Sequence, residues 1–332
     1  MKTFRSILSR RAVSALAGVV LAGSAQAAPT IKIGTVVWAG YGPFYVADQL
    51  DMYKKSGFKV QLQVFNDPAL VTSSITSGAI DGGMITYDQA ISAVARGSTM
   101  KVVMPIDYSN GGDAVVATND ITSLSQLKGL KVAYNPLSPS DFLISYALST
   151  VNLHVQDIEP VAMPPESVTA AMASGGVKVG VTYEPSVSEI VKMGEGKKFH
   201  VLYSSKDAPG LITDVMTFNA DYIAKHPAEV KAVIQGYVDG LAYMKAHPAE
   251  AAKLIGKALG IPAEEVAGQL SGVYNPTLEE FSDVFGKSDK TTSLYVSGKV
   301  ISDILKAKGE IETVPATEDT MDASIAAGML KQ

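Results

Sequence analysis

Beyond residue 27 the chain alternates short apolar runs of strand length with longer amphipathic runs, the order that an α/β sheet requires. Ile31 to Val37 reads as a strand, Pro43 to Ser56 as a helix, and Val60, Leu62 and Val64 alternate as a second strand within Phe58 to Phe65. Asp67-Pro68 caps and opens a helix that ends at Gly78, since Asp accepts from first-turn amides and Pro loses no bond at the first helical position. Ala79 to Ile85 is the next strand, and Thr86-Tyr87-Asp88 opens a helix running to Arg96-Gly97. Lys101 to Ile106 is a strand feeding the Gly-bearing turn Asp107 to Asp113, which passes to a further strand at Ala114 to Ala117 with no helix between them. That missing helix places a first crossover between two lobes.

The same alternation then restarts. Leu124 to Leu127 is a short helix, Gly129 to Tyr134 a strand, Asn135 to Ser140 a loop, and a helix covers Asp141 to Val151. Glu166 to Ser174 is helix, Val177 to Val181 strand, and Thr182-Tyr183-Glu184-Pro185 opens another helix; the chain returns near Asp214 to Asn219. The tail reads as almost wholly helical, over 222–246, 248–260, 263–271, 278–285 and 291–308. His226-Pro227-Ala228-Glu229 recurs as His247-Pro248-Ala249-Glu250, a helix-opening phrase; a metal site would need further ligands at helical spacing, and none is present. About 300 residues fit two lobes. With no Gly/Ser linker between them, the expected division is 28–113 with 215–332 as lobe I, and 114–214 as lobe II.

Composition and charge narrow the class. Lys2, Arg5, Arg10 and Arg11, the apolar run Ala12 to Ala22 and Ala25-Gln26-Ala27 make residues 1–27 a secretory signal peptide, too short in its apolar part to span a bilayer. Those residues hold four of the 28 basic side chains and no acid, so the remainder carries 24 against 33, a net charge near −9. Nucleic acid is therefore not an expected partner. The chain has no cysteine, which removes disulfides, thiolate catalysis, Cys-based metal sites and a lipid anchor on an N-terminal cysteine. A freely diffusing exported protein needs an outer membrane to retain it, which points to a Gram-negative periplasm.

The candidate chemistry sits in the turns. Trp38, the only tryptophan, and Tyr41 follow the first strand at its carboxyl end, where open α/β sheets bind ligands, although both also suit a core. Thr86 with Tyr87, Ser138 with Ser140, and Tyr183 with Glu184 occupy three later strand-to-helix turns. Asp107 and Tyr108 lie on the crossover turn. Beyond residue 27 the one arginine is Arg96, at a helix end away from the turns, so an oxyanion would be held by helix N-termini and by the hydroxyls of Thr86, Ser138 and Ser140. Asp107 and Glu184 add negative charge among Trp38, Tyr41, Tyr87, Tyr108 and Tyr183, a combination that favours an amine or ammonium group. Either acid could equally cap a helix or latch the lobes. Ser125-Gln126-Leu127-Lys128 matches a Ser-x-x-Lys nucleophile motif, but its companion motifs are missing and the four histidines are scattered, so no enzyme is expected.

Six phrases, Trp38-Ala39-Gly40-Tyr41-Gly42-Pro43, Gly57-Phe58-Lys59-Val60, Ser77-Gly78-Ala79-Ile80-Asp81, Asp107 to Asp113, Leu127 to Val132 and Val181-Thr182-Tyr183-Glu184-Pro185, come in an order and spacing that resembles the SsuA/THI5-like periplasmic substrate-binding proteins of nitrate, taurine and sulfonate ABC importers. The chain departs from that pattern at Gly176-Val177-Lys178-Val179-Gly180, where the family often has an acid in place of Lys178. The resemblance covers nearly everything beyond residue 27. It implies a two-lobe periplasmic-binding-protein fold of type II, with mixed or parallel sheets flanked by helices and a ligand cleft at the hinge. It further implies a monomer that binds a small solute and docks transiently on an inner-membrane ABC permease, with no cofactor and no metal. The ligand expected from the residues is a sulfonate or taurine-like zwitterion. A pyrimidine or other aromatic heterocycle is the alternative, and a ligand-sensing receptor partner is a further one.

Overall fold

The computed structural model describes residues 28–331, so the signal-peptide expectation for residues 1–27 lies outside the described residues. Among the described residues eleven strands form two sheets. The strands are β1 (Thr30–Thr35), β2 (Lys59–Val64), β3 (Gly82–Thr86), β4 (Met100–Ser109), β5 (Asp113–Thr118), β6 (Lys131–Tyr134), β7 (Glu159–Ala162), β8 (Val179–Tyr183), β9 (Phe199–Ser204), β10 (Thr213–Asn219) and β11 (Val273–Tyr274). The first sheet has the order β11-β4-β10-β3-β1-β2 and the second β7-β6-β8-β5-β9. The chain thus leaves the first sheet after β4 and re-enters it at β10.

The two sheets share one plan. In the first, β1 runs parallel to β2 and β3, and β10 lies antiparallel between β3 and β4. In the second, β6 runs parallel to β7 and β8, and β5 lies antiparallel between β8 and β9. In each sheet the antiparallel strand is thus the one by which the chain crosses over from the other sheet. The carboxyl ends of β1, β3 and β4 come to the same edge as the start of β10, and those of β6, β8 and β9 to the same edge as the start of β5. Both edges carry the ends where α/β sheets present ligand-binding groups.

The apolar residues of the strands explain the packing. Ile31 and Ile33 of β1, Val102 to Met104 of β4, and Val215, Met216 and Phe218 of β10 are fully buried, and one apolar cluster runs from the first sheet into Val115, Val132, Val179 and Val181 of the second. A smaller cluster of Ala114, Val116, Ala133, Val168, Met172 and Ile190 lies on the other side of the second sheet.

Local structure departs from the sequence pattern in four places. The helix expected over 43–56 stops at Gln49, because Asp51 takes a left-handed backbone, and continues only as a 3₁₀ segment at Met52–Ser56. Strand β4 extends through Asp107 and Tyr108 to Ser109, so these two residues are paired strand, not turn. Strand β7 has a mostly exposed sequence, Glu-Pro-Val-Ala, with little apolar signal. The tail contains β11, a 3₁₀ turn at Thr317–Thr320 and a last helix at Ser324–Met329, besides the helices that begin at Pro227 and Pro248 as the His-Pro-Ala-Glu phrases predict. Among the described residues no helix is long and apolar enough to cross a membrane.

The two connections between the sheets are bonded to each other. Ser109 and Ser205 share a hydroxyl–hydroxyl bond of 2.7 Å, the Gly111 amide donates to Ser205 Oγ at 2.7 Å, and the Asp113 amide donates to Ser109 Oγ at 3.2 Å. Farther out, Gln89 Nε2 donates to the Leu137 carbonyl at 3.0 Å, and Lys308 Nζ lies 2.6 Å from both Asp141 and Glu310. These bonds hold the helix after β3 and the C-terminal segment against the loop and helix after β6.

Candidate ligand-binding site

A narrow cavity lies between the facing edges of the two sheets. Val36, Trp38, Tyr41, Met84, Ile85, Thr86, Gln89, Ile212 and Asp214 line it from the first-sheet side, and Asp113, Pro139 and Tyr183 from the second. Among the described residues its lining contains no lysine, arginine or histidine.

Trp38 enters because β1 ends at Thr35 and the chain turns through an extended residue 38 into a 3₁₀ turn at Ala39–Tyr41. Its indole meets the Tyr183 ring edge-on, with centroids 5.9 Å apart, so one aromatic from each sheet closes the cavity. Two glycines make this position possible. A Cβ on Gly40 would overlap the Asp107 carboxyl and the indole nitrogen, and one on Gly112 would stand 2.5 Å from the far edge of the indole.

Beneath Trp38 lies a chain of hydrogen bonds. The indole N–H is 3.2 Å from each oxygen of Asp107, and the Tyr41 hydroxyl donates to Asp214 Oδ1 at 2.5 Å. Asp107 and Asp214 are direct register partners on β4 and β10, and both are buried. Burial, followed by the neighbouring Asp214 charge, pushes the Asp107 carboxyl far above the ordinary carboxylate range. Burial raises Asp214 too, against the opposing bonds from Tyr41 and Asp107. Burial likewise pushes Asp113 up to about 8, moderated by a bond from Ser109. The arrangement can accept N–H donors or a positive charge and exclude water behind two aromatic rings.

A family model described as NMT1/THI5 like matches residues 38–251. The chain belongs to the NMT1/THI5-like family. A putative aliphatic sulfonates-binding protein of Escherichia coli K12 is 24% identical over 237 residues, which cover 69% of this chain and 71% of that protein. In fold the chain is similar to the periplasmic aliphatic sulphonate binding protein SsuA from Escherichia coli, with a TM-score of 0.71 at 18% identity, covering 90% of this chain and 99% of that one. It is also similar to the zinc-bound ligand binding component of an ABC-type import system from Staphylococcus aureus, with a TM-score of 0.73 at 16% identity over 90% and 98% of the two chains. The two mixed sheets flanked by helices are therefore the periplasmic-binding-protein architecture expected from the sequence.

In this NMT1/THI5-like chain the residues singled out by sequence fall into three groups. Trp38, Tyr41, Thr86 and Tyr183 line the cavity, and Thr86 also caps its helix through Gln89. Asp107 lies just behind that lining. The others are not among the lining residues. The Tyr87 hydroxyl bonds Thr320 at 2.8 Å and its ring packs against Gly298, away from the cavity. Tyr108 stacks on Tyr274 at 5.0 Å. Ser138 caps its own helix, donating to the Asn135 carbonyl at 2.6 Å and accepting from the Ser140 amide at 3.2 Å, while the buried Ser140 hydroxyl has no partner among the described residues. Glu184 accepts from the amide and the hydroxyl of Ser188 at 3.1 and 2.8 Å, one turn along its own helix.

Sequence reasoning passed over Asp113, Asp214 and Gln89. The first two stand where the chain crosses between sheets, positions that read as mere ends of segments. Gly111-Gly112-Asp113 and Thr213-Asp214, an acid opening an apolar strand, were the available signal. Arg96 lines a different and larger hollow, of about 940 Å³, with Asp88, Ser92 and Glu310.

Proposed function

We propose that the chain is the solute-binding component of an ABC importer and that its cavity selects a compact solute by a protonated amine. Residues 1–27 direct it to the periplasm. There a monomer, with lobes 28–113 plus 215–332 and 114–214, closes over the solute and presents it to an inner-membrane permease. The one observation that carries the ligand reading is the pair Asp113 and Asp214. Two buried carboxyls line one cavity with no basic side chain among the described lining residues, under the Trp38 and Tyr183 rings. Burying unpaired carboxyls is costly, and a cationic solute offsets that cost while gaining from the aromatic faces.

A taurine-like zwitterion fits this reading through its amine end. Its sulfonate meets no cation in the lining, so the amine supplies the recognition. The importer relatives and the sulfonate names they carry support solute binding and make organosulfonates the first compounds to test. The binding-protein relatives support a role in solute binding rather than catalysis.

Calorimetric titration of refolded, ligand-stripped protein tests the proposal with taurine, n-propylamine, ethanesulfonate and an aminopyrimidine. Taurine and propylamine should bind and ethanesulfonate should not. Ethanesulfonate binding as tightly as taurine would overturn the amine reading, and binding of the pyrimidine alone would reassign the rings to stacking a heterocycle.

A further inference from the structure

We propose that Asp107 and Asp214 hold one proton between them, resident on Asp107, and that Asp107 is thereby a positioning residue that keeps Asp214 as the charged face of the cavity. The inference rests on the amine reading for its consequence, but not for the proton itself. Asp107 and Asp214 lie side by side on antiparallel strands, at 0% and 5% exposure. Among the described residues the polar groups that face them are the Trp38 indole, the hydroxyls of Tyr41, Tyr45, Thr86 and Tyr237, and the carboxyls of Asp113 and Asp88. None is basic. Two adjacent buried carboxylates without a cation cannot both stay ionised, so one proton is retained by the pair.

Bond lengths say where it sits. The Tyr41 hydroxyl reaches Asp214 at 2.5 Å, the length of an O–H bond to an ionised oxygen. The Trp38 N–H reaches Asp107 only at 3.2 Å and divides itself between the two oxygens, a longer contact that suits a neutral acid. With its proton directed at Asp214, Asp107 is the second donor to that carboxylate, opposite Tyr41, and the two donors fix its orientation. Support comes from the electrostatics: burial raises both acids above the ordinary carboxylate range.

The location adds a mechanical consequence. Asp107 is two residues before the end of β4, where the chain leaves the first sheet, and Asp214 is the second residue of β10, where it returns. The shared proton therefore ties the two hinge strands together at the floor of the cavity. A cation drawn to Asp214 meets a charge that is already formed and held.

Carbon-13 NMR of the Asp-labelled, ligand-free protein tests the proton directly, with Asp107→Asn and Asp214→Asn to assign the two carboxyls. Asp107 should keep the shift of a protonated acid across neutral pH while Asp214 shows the shift of a carboxylate above it. An Asp107 carboxyl that is ionised at neutral pH, or that titrates before Asp214, would overturn the proposal. The functional arm uses n-propylamine. Asp107→Val should weaken it about tenfold or more, the loss of roughly one charge-assisted bond, and Asp107→Asn, which still offers an N–H to Asp214, should recover most of that loss. Equal losses for Asn and Val would overturn the positioning role. The NMR arm needs no solute, so a protein that binds no amine but keeps Asp107 protonated would refute the ligand reading alone.

Discussion

The two strands on which the chain crosses from one sheet to the other invite comparison. β5 begins with Asp113 in the second sheet, and β10 has Asp214 as its second residue in the first. Each strand lies antiparallel between two others, and each brings its acid to the same cavity. Their neighbours differ. Asp113 pairs across the ladder with Tyr183 and is moderated by a serine, whereas Asp214 has a second acid, Asp107, on one side and Thr86 on the other. Burial raises Asp113 most, with smaller additions from Asp214, Asp88 and Glu184, so its charge is set mainly by solvent exclusion and by whatever solute arrives. Asp214 has its charge set in advance by a proton on its neighbour. A buried carboxyl's role thus follows from the partner that shares its environment more than from its own position.

The largest effect expected from this contrast is on affinity. Asp214→Asn should weaken n-propylamine about a hundredfold, equivalent to about 2.7 kcal/mol, because it removes the held charge. Asp113→Asn should cost nearer tenfold. Titration calorimetry on the two variants decides, and equal losses would erase the distinction between them.

A smaller effect concerns stability against pH. Asp113 has a folded-state value of about 8, above its ordinary value when unfolded, so the folded protein holds a proton that the unfolded chain releases. That contribution is complete in acid, below the unfolded value, and is lost as pH rises through about 8. The melting temperature of ligand-free protein should therefore fall from pH 5 to pH 9 by several degrees, given roughly 2–4 °C per kcal/mol in a chain of this size. Asp113→Asn should flatten that slope. A slope unchanged in the variant would place the proton elsewhere.

The smallest effect expected is at Glu184. Its carboxylate is raised by burial but satisfied within its own helix by Ser188. Glu184→Gln should change amine affinity by less than about twofold, since the side chain lies off the cavity lining. A tenfold loss in the same titration would return Glu184 to the site and weaken the case for the strand acids.

Much of the fold was legible because its signals are local. The period of apolar residues, Asp67-Pro68 at a helix start, and the absence of a helix between residues 106 and 114 each act within a few residues. Trp38, Tyr41, Thr86 and Tyr183 were legible as candidates for the cavity lining because they lie at or just after strand ends, which meet the cleft in this architecture. The same rule put Tyr87, Tyr108, Ser138 and Glu184 at the turns but said nothing about which way each side chain faces. That was decided by Thr320 and Gly298 for Tyr87, by Tyr274 for Tyr108, and by each helix's own first turn for Ser138 and Glu184.

By itself the sequence determined an alternating α/β pattern, the acidic balance and the lack of any arginine beyond Arg96 in residues 28–332. Only the tertiary structure decided that Asp107 and Asp214, separated by 107 positions, are register partners on adjacent strands, and that Asp113 meets them from the other sheet. The physical reason is that β pairing joins residues distant in the chain, and whether a carboxyl lies in water or beside another carboxyl is settled by that pairing.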